Sequence, residues 1–307
     1  MKLGFMCGMA NNGICTIDQI VDEVKAAETQ GFDQAWMAQV FSSDAITTMS
    51  IAGRETSHIR LGTAVTPSFP RHPTALAIQV LTASAASGGR FDLGLGLSHK
   101  VVIEDMFGIP YEKPARHMRE YLEVLVPLVR GEACAFNGEE YRVNASLQVP
   151  DAPPAPVLVA ALGPKMLAVA GALADGTTTW MTGPRTLEQH TIPLIREAAQ
   201  AAGRPAPRIV ASFPIALTHD VEQARARLSK SLEMYGHLPS YRAMLDIEQL
   251  AHPTDIAILG DDAALREKIL HLKAIGVTDF NAFCFAVDEG AVTRTKAFLA
   301  SEKSGFS

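Results

Sequence analysis

The 307-residue chain has only four cysteines, Cys7, Cys15, Cys134 and Cys284, and no CxxC among them. So sparse a set excludes a disulfide framework and structural zinc, and it fits reduced thiols in a cytoplasmic protein. HExxH is absent, and the histidines, among them His58, His72, His117 and His190, are scattered, so nothing asks for a metal. Lysine and arginine form no cluster, and 27 basic residues stand against 33 acidic ones for a net charge of −6. A nucleic acid or an anionic membrane surface is therefore not the expected partner. The longest apolar runs suit a buried strand and fall far short of a membrane span. Met1-Lys2-Leu3-Gly4-Phe5 reads as a first strand, since a signal peptide needs a longer apolar stretch and a cleavage site.

What the chain does have is apolar residues, 48% of the total, enough for one large core and a single domain over residues 1–307. Strand-like segments fall at residues 2–7, 32–38, 60–65, 90–96, 157–161, 176–181, 209–217 and 279–286. Helical segments alternate with them. In the first, Thr16 and Gln19 form a capping box, Ile17, Ile20, Val21, Val24 and Ala27 follow helical spacing, and Gly31 suits a left-handed end. Further helices are expected over 45–54, 74–86, 114–129, 165–173, 187–202, 221–234 and 290–301. Each parallel crossover needs its own helix, so this rhythm predicts a closed (β/α)8 TIM barrel. An open doubly wound sheet would use fewer units and carry a phosphate-binding glycine fingerprint.

Two insertions interrupt the rhythm. Residues 132–154, after the fourth helix, alternate Phe136, Tyr141, Val143 and Leu147 as a hairpin would. Residues 235–260, after the seventh, add one helix over 241–250. Such extras commonly cover a barrel's active site.

Gly94-Leu95-Gly96-Leu97-Ser98-His99-Lys100 lacks the third glycine of a dinucleotide fingerprint. At a barrel strand's carboxyl end the two glycines would instead let a flat ligand approach the backbone, with Ser98 and His99 the first side chains facing the pocket. Two later turns suit a phosphate. Ala161-Leu162-Gly163-Pro164-Lys165 and Trp180-Met181-Thr182-Gly183-Pro184 each place a glycine and a proline at a helix start, Lys165 adding charge and Thr182 a hydroxyl. Met6, Phe69, Met181, Phe213, Phe283 and Phe285 fill other strand ends. If several line the mouth, the substrate is apolar or aromatic.

Together, Gly31-Phe32-Asp33-Gln34-Ala35-Trp36, Arg60-Leu61-Gly62-Thr63-Ala64-Val65, Arg71-His72-Pro73, Ser87-Gly88-Gly89-Arg90-Phe91, Leu93-Gly94-Leu95-Gly96 and Ala174-Asp175-Gly176 resemble the luciferase-like monooxygenases, most densely over residues 2–98. The resemblance implies a barrel oxidoreductase using reduced FMN or the deazaflavin coenzyme F420. The opening over residues 1–12 is similar to the F420 branch. It also implies a non-prolyl cis peptide at Ala64-Val65, backing the cofactor ring, and the cofactor tail held at Leu162, Gly163, Pro164 and Lys165 and at Met181, Thr182 and Gly183. Homodimerisation and a small-molecule substrate go with it.

In one place the chain departs from the family. Many relatives carry Asp-His at the end of strand two, where Ala38-Gln39 stands here, and Gln39 cannot transfer a proton near neutrality. Either His99 or Cys7 takes that role, or water or substrate supplies the proton. The expected activity is F420-dependent hydride transfer to or from a carbonyl or activated alkene. The alternatives are an FMN monooxygenase and a non-catalytic cofactor binder.

Overall fold

The computed structural model describes residues 1–9 and 14–306. Residues 10–12 of the opening that resembles the F420 branch thus lie outside the described residues. The first half of the chain forms β1 (Lys2–Met6), α1 (Ile17–Thr29), β2 (Gln34–Met37), α2 (Ala45–Glu55), β3 (Arg60–Thr63), the short β4 (Thr66–Pro67), α3 (Pro73–Ala86), β5 (Phe91–Gly96) and α4 (Pro114–Val129). Next comes an antiparallel hairpin, β6 (Cys134–Asn137) with β7 (Arg142–Ala145). The rest runs β8 (Val157–Val159), α5 (Pro164–Leu173), β9 (Gly176–Trp180), α6 (Pro184–Thr186), α7 (Ile192–Ala201), β10 (Arg208–Leu217), α8 (Val221–His237), α9 (Pro239–Glu248), β11 (Ile258–Gly260), α10 (Asp262–Ile275), β12 (Asp279–Cys284) and α11 (Ala291–Phe306).

Strands β1, β2, β3, β5, β8, β9, β10 and β12 pair in parallel in that order, and β12 returns to β1. The sheet closes, so the predicted barrel is the fold. β11 extends it only at the carboxyl end of β10. Local chemistry supports the elements as expected. Thr16 and Gln19 cap α1 reciprocally, at 3.2 and 2.9 Å, and Gly31 leaves the helix at φ +86°.

One helix is absent from the sequence-based expectation. α10 starts on Asp261, whose side chain accepts from Ala264 N, buries Leu265, Ile269 and Leu272, and ends at Gly276, φ +106°. It packs on β11 and α11 and is the helix that returns the chain to β12. The helix assigned to that task, α8, instead belongs with α9 and β11 to the cover inserted before it.

The amino end of the barrel is filled. Trp36 on β2 lies inside, where a Cβ on Gly62 would come within 2.4 Å of its ring and one on Gly4 within 3.0 Å of its Nε1. Both neighbours must be glycine for that indole to fit. Beneath it, Arg208 donates to Asp92 at 2.9 Å and to Asp279 at 2.8 Å, and Arg60 also pairs with Asp92. Gln34 joins in, donating to Asp279 and accepting from Trp36 Nε1. Met6, Leu158 and Val210 pack with Trp36. Only the carboxyl half of the cylinder is left open.

Candidate active site

A cavity of about 1440 Å³ opens at the carboxyl ends of the strands and runs under α8 and α9. On its β3 side the Ala64-Val65 peptide is cis. Ala64 N donates to Met37 O at 2.9 Å and Val65 O accepts from Gln39 N at 3.3 Å, so the bulge is tied to the end of β2. Ala64, Val65, Ser98, Leu162 and Gly163 all line this space.

The glycines of β5 serve the barrel itself. A Cβ on Gly94 would sit 1.9 Å from Thr63 O, and one on Gly96 2.4 Å from Val65 Cγ2. The expectation that they admit a ligand is corrected for Gly94, where neighbouring chain already occupies that room, whereas Gly96 does line the cavity. Gly163 behaves differently, with nothing within 4 Å of a built Cβ. It caps α5 without any side-chain hydrogen bond.

The second phosphate turn is not available. Met181 and Thr182 are buried off the cavity, and the Thr182 hydroxyl donates to Trp180 O at 3.3 Å. The space before Gly183 is filled by Glu248 of α9. Its carboxylate accepts from Arg185 N at 3.1 Å, Thr186 N at 2.8 Å and the Thr186 hydroxyl at 2.7 Å. A negative group thus already satisfies the amides of this turn. Pro164 and Lys165 are exposed and off the cavity wall.

Of the three candidate catalytic residues, two face the cavity. Gln39 does so, but its Oε1 accepts from Ala45 N at 2.7 Å, at the start of α2, and its Nε2 donates to Val40 O at 3.4 Å, leaving one Nε2 hydrogen to offer. His99 follows Ser98, whose φ of +63° turns the chain inward, and burial pushes its imidazole below the usual range, so the ring is neutral at pH 7. Cys7 is corrected: it is 1% exposed, its thiol donates to Trp36 O at 3.3 Å, and burial holds its pKa far above the ordinary thiol value. A proton donor at this site cannot be Cys7. His72 caps α3 through Nδ1, a structural task. Phe213 is core, and Phe69 stacks between Tyr111 and His117.

Several wall residues carry no separate signal in the sequence, and only the fold assembles them. Thr179 Oγ1 and Asn281 Oδ1 are buried without a hydrogen-bond partner among the described residues. Thr179 lines the cavity, and Asn281 donates to Ser212, also on the wall, at 2.9 Å. Trp180, Tyr235 and Tyr241 bring aromatic rings from β9, α8 and α9. Among the described residues no group of three or more His, Cys, Asp or Glu could hold a metal, and no helix is long and apolar enough to cross a membrane.

Residues 1–279 match the model of a family described as luciferase-like monooxygenase. A putative coenzyme F420-dependent oxidoreductase of Mycobacterium tuberculosis is 30% identical over 252 residues, 76% of this chain and 72% of that one. A 5,10-methylenetetrahydromethanopterin reductase of Archaeoglobus fulgidus is 34% identical over 166 residues, 54% of this chain but only half of its own length. Among solved structures, an F420-dependent secondary alcohol dehydrogenase with an F420–acetone adduct superposes with a TM-score of 0.83 at 17% identity, covering 100% of this chain and 99% of the other.

Proposed function

Because the chain belongs to the luciferase-like monooxygenase family of oxidoreductases, we propose that it binds coenzyme F420 and uses it to reduce or oxidise a small organic substrate at a carbonyl or activated alkene. The mycobacterial relative's name supports a deazaflavin over FMN. The observation that carries the fit is the cavity of about 1440 Å³ at the carboxyl ends of the strands, walled by Ala64, Val65 and Ser98 on one side and by Leu162 and Gly163 on another. A concave, largely apolar space with a few polar groups on its wall suits a flat heterocycle.

When bound, the reduced cofactor supplies a hydride from its C5. Ala64, Val65 and Ser98 bracket the space for a flat ring. Leu162 and Gly163, with the Lys165 amide at the start of α5, would cradle the phosphate, and the Lys165 side chain would lend charge from outside. His99, neutral and partly desolvated, accepts the hydroxyl proton when an alcohol is oxidised and returns it when a carbonyl is reduced. Gln39 Nε2 donates to the substrate oxygen. The four cysteines form no disulfide, which suits a cytoplasmic homodimer.

Titration with reduced F420 and with reduced FMN, followed by cofactor fluorescence, tests this proposal. Deazaflavin binding with turnover of a carbonyl or alcohol substrate supports it. Tight FMN binding with no deazaflavin response overturns it in favour of a monooxygenase. A bound cofactor that no carbonyl or enone oxidises or reduces overturns it in favour of a non-catalytic binder.

A further inference from the structure

The cover built from α8 and α9 adds Tyr235 and Tyr241 to rings at the barrel's strand ends, and together they form a continuous run along the cavity. His99 lies 6.1 Å from Tyr241 between centroids, Tyr241 meets Tyr235 at 5.0 Å and 70°, and Tyr235 meets Trp180 at 6.0 Å and 71°. Trp180 continues to Phe283 at 5.2 Å, and Phe283 to Phe285 at 4.6 Å. A run of edge-to-face and tilted rings of this kind leaves ring faces and edges for a further flat partner. The half-buried cations on the same walls are already paired, Arg71 with Asp44 at 2.8 Å and Lys296 with Glu23 at 2.6 Å. Arg227 stands exposed at the rim, in the field of Asp288. Among the described residues, an anionic substrate thus finds no unpaired lysine or arginine inside.

Tyr241 is held firmly. Tyr241, Met244, Leu245 and Glu248 fall at i, i+3, i+4 and i+7 on one face of α9. Met244 and Leu245 are buried, and Glu248 fastens the far end of the helix to the α6 turn. The helix that carries the ring therefore cannot move away without breaking those hydrogen bonds.

We infer that this cover selects the substrate, that the substrate is a planar aromatic or conjugated carbonyl compound or its alcohol, and that Tyr241 is the specificity-determining residue beside His99. The inference rests on the oxidoreductase function proposed above. It goes further in assigning substrate choice to a ring that the barrel itself does not supply.

The chain has two tryptophans. Trp36 is sealed in the barrel at 1% exposure, whereas Trp180 lines the cavity, so quenching of Trp180 emission reports occupancy. A Trp180→Phe variant identifies that signal. The probes are 2-naphthaldehyde and the aliphatic undecanal, each titrated into cofactor-free and F420-loaded protein, with F420 affinity read separately from its own fluorescence. Wild type binds naphthaldehyde at least tenfold more tightly than undecanal. Tyr241→Leu, which keeps apolar bulk but removes the ring, abolishes that preference. Tyr241→Phe restores it to within threefold, and F420 affinity changes less than threefold throughout. Equal binding of the two aldehydes by wild type, no binding of either, or an unchanged preference in Tyr241→Leu overturns the inference. A failure to bind F420 sinks the proposed function instead, and the cofactor-free titration still decides the role of Tyr241.

Discussion

Replacing Gly94 by alanine separates two roles for that glycine, making room for a ligand and closing the barrel. The new Cβ would lie 1.9 Å from Thr63 O, so β3 and β5 must part by roughly 1.5 Å to reach ordinary contact. Those strands are clamped there, because the Thr63 hydroxyl donates to Gly94 O at 2.8 Å and accepts from Gly94 N at 3.1 Å. Overpacking a core costs about 1–3 kcal/mol, and an obstructing backbone atom puts this site at the upper end. Alanine also restricts the unfolded chain, which offsets about 0.4–1 kcal/mol. The net loss is thus about 2 kcal/mol. An unfolding entropy of about 2.1 cal/mol/K per residue over 307 residues turns this into a Tm lowered by about 3 °C. Scanning calorimetry of cofactor-free protein measures it directly. Gly163→Ala is the control: a Cβ there meets nothing within 4 Å and φ is −82°, so Tm holds within about 1 °C while F420 binding weakens. A Gly94→Ala protein that unfolds at the wild-type temperature would refute the reasoning.

Because burial holds the His99 pKa below its ordinary value of 6.5, the neutral base persists to lower pH. Alcohol oxidation should therefore fall only as pH drops below 6.5, and a kcat/KM–pH profile of His99→Gln should lose that limb. Glu248→Ala should release the Arg185 and Thr186 amides and loosen α9, speeding exchange of those amides in hydrogen-exchange mass spectrometry and lowering stability by about 1–3 kcal/mol. Equal protection in the variant would dismiss Glu248 as a latch. Arg208→Met leaves Asp92 and Asp279, at 1% and 2% exposure, short of their shared cation. Since Arg60 still serves Asp92, a loss of about 3 kcal/mol in urea unfolding is expected, at the low end for a broken buried pair.

Much of the architecture is written locally. Short strand-like segments alternating with helical ones mark all eight barrel strands, and the spacing of Phe136, Tyr141 and Val143 marks the hairpin, because a strand or helix must turn its apolar side to the core whatever else the chain does. The Ala64-Val65 pair came from resemblance and is cis in the structure. Asp261, Leu265, Ile269, Leu272 and Gly276 carry the same kind of signal for α10, in residues 261–278, which the strand–helix reading assigns to no element. The site was legible only as a region. That Gly94 yields to Thr63, that Cys7 is sealed, that Glu248 fills the turn before Gly183 and that Tyr241 stands beside His99 all depend on residues 29 to 142 positions apart in the chain coming together. Local pattern decides which face of an element is buried. Which atom fills a given space, or satisfies a given amide, is settled only when distant elements pack, since each space holds one group and each donor takes one partner.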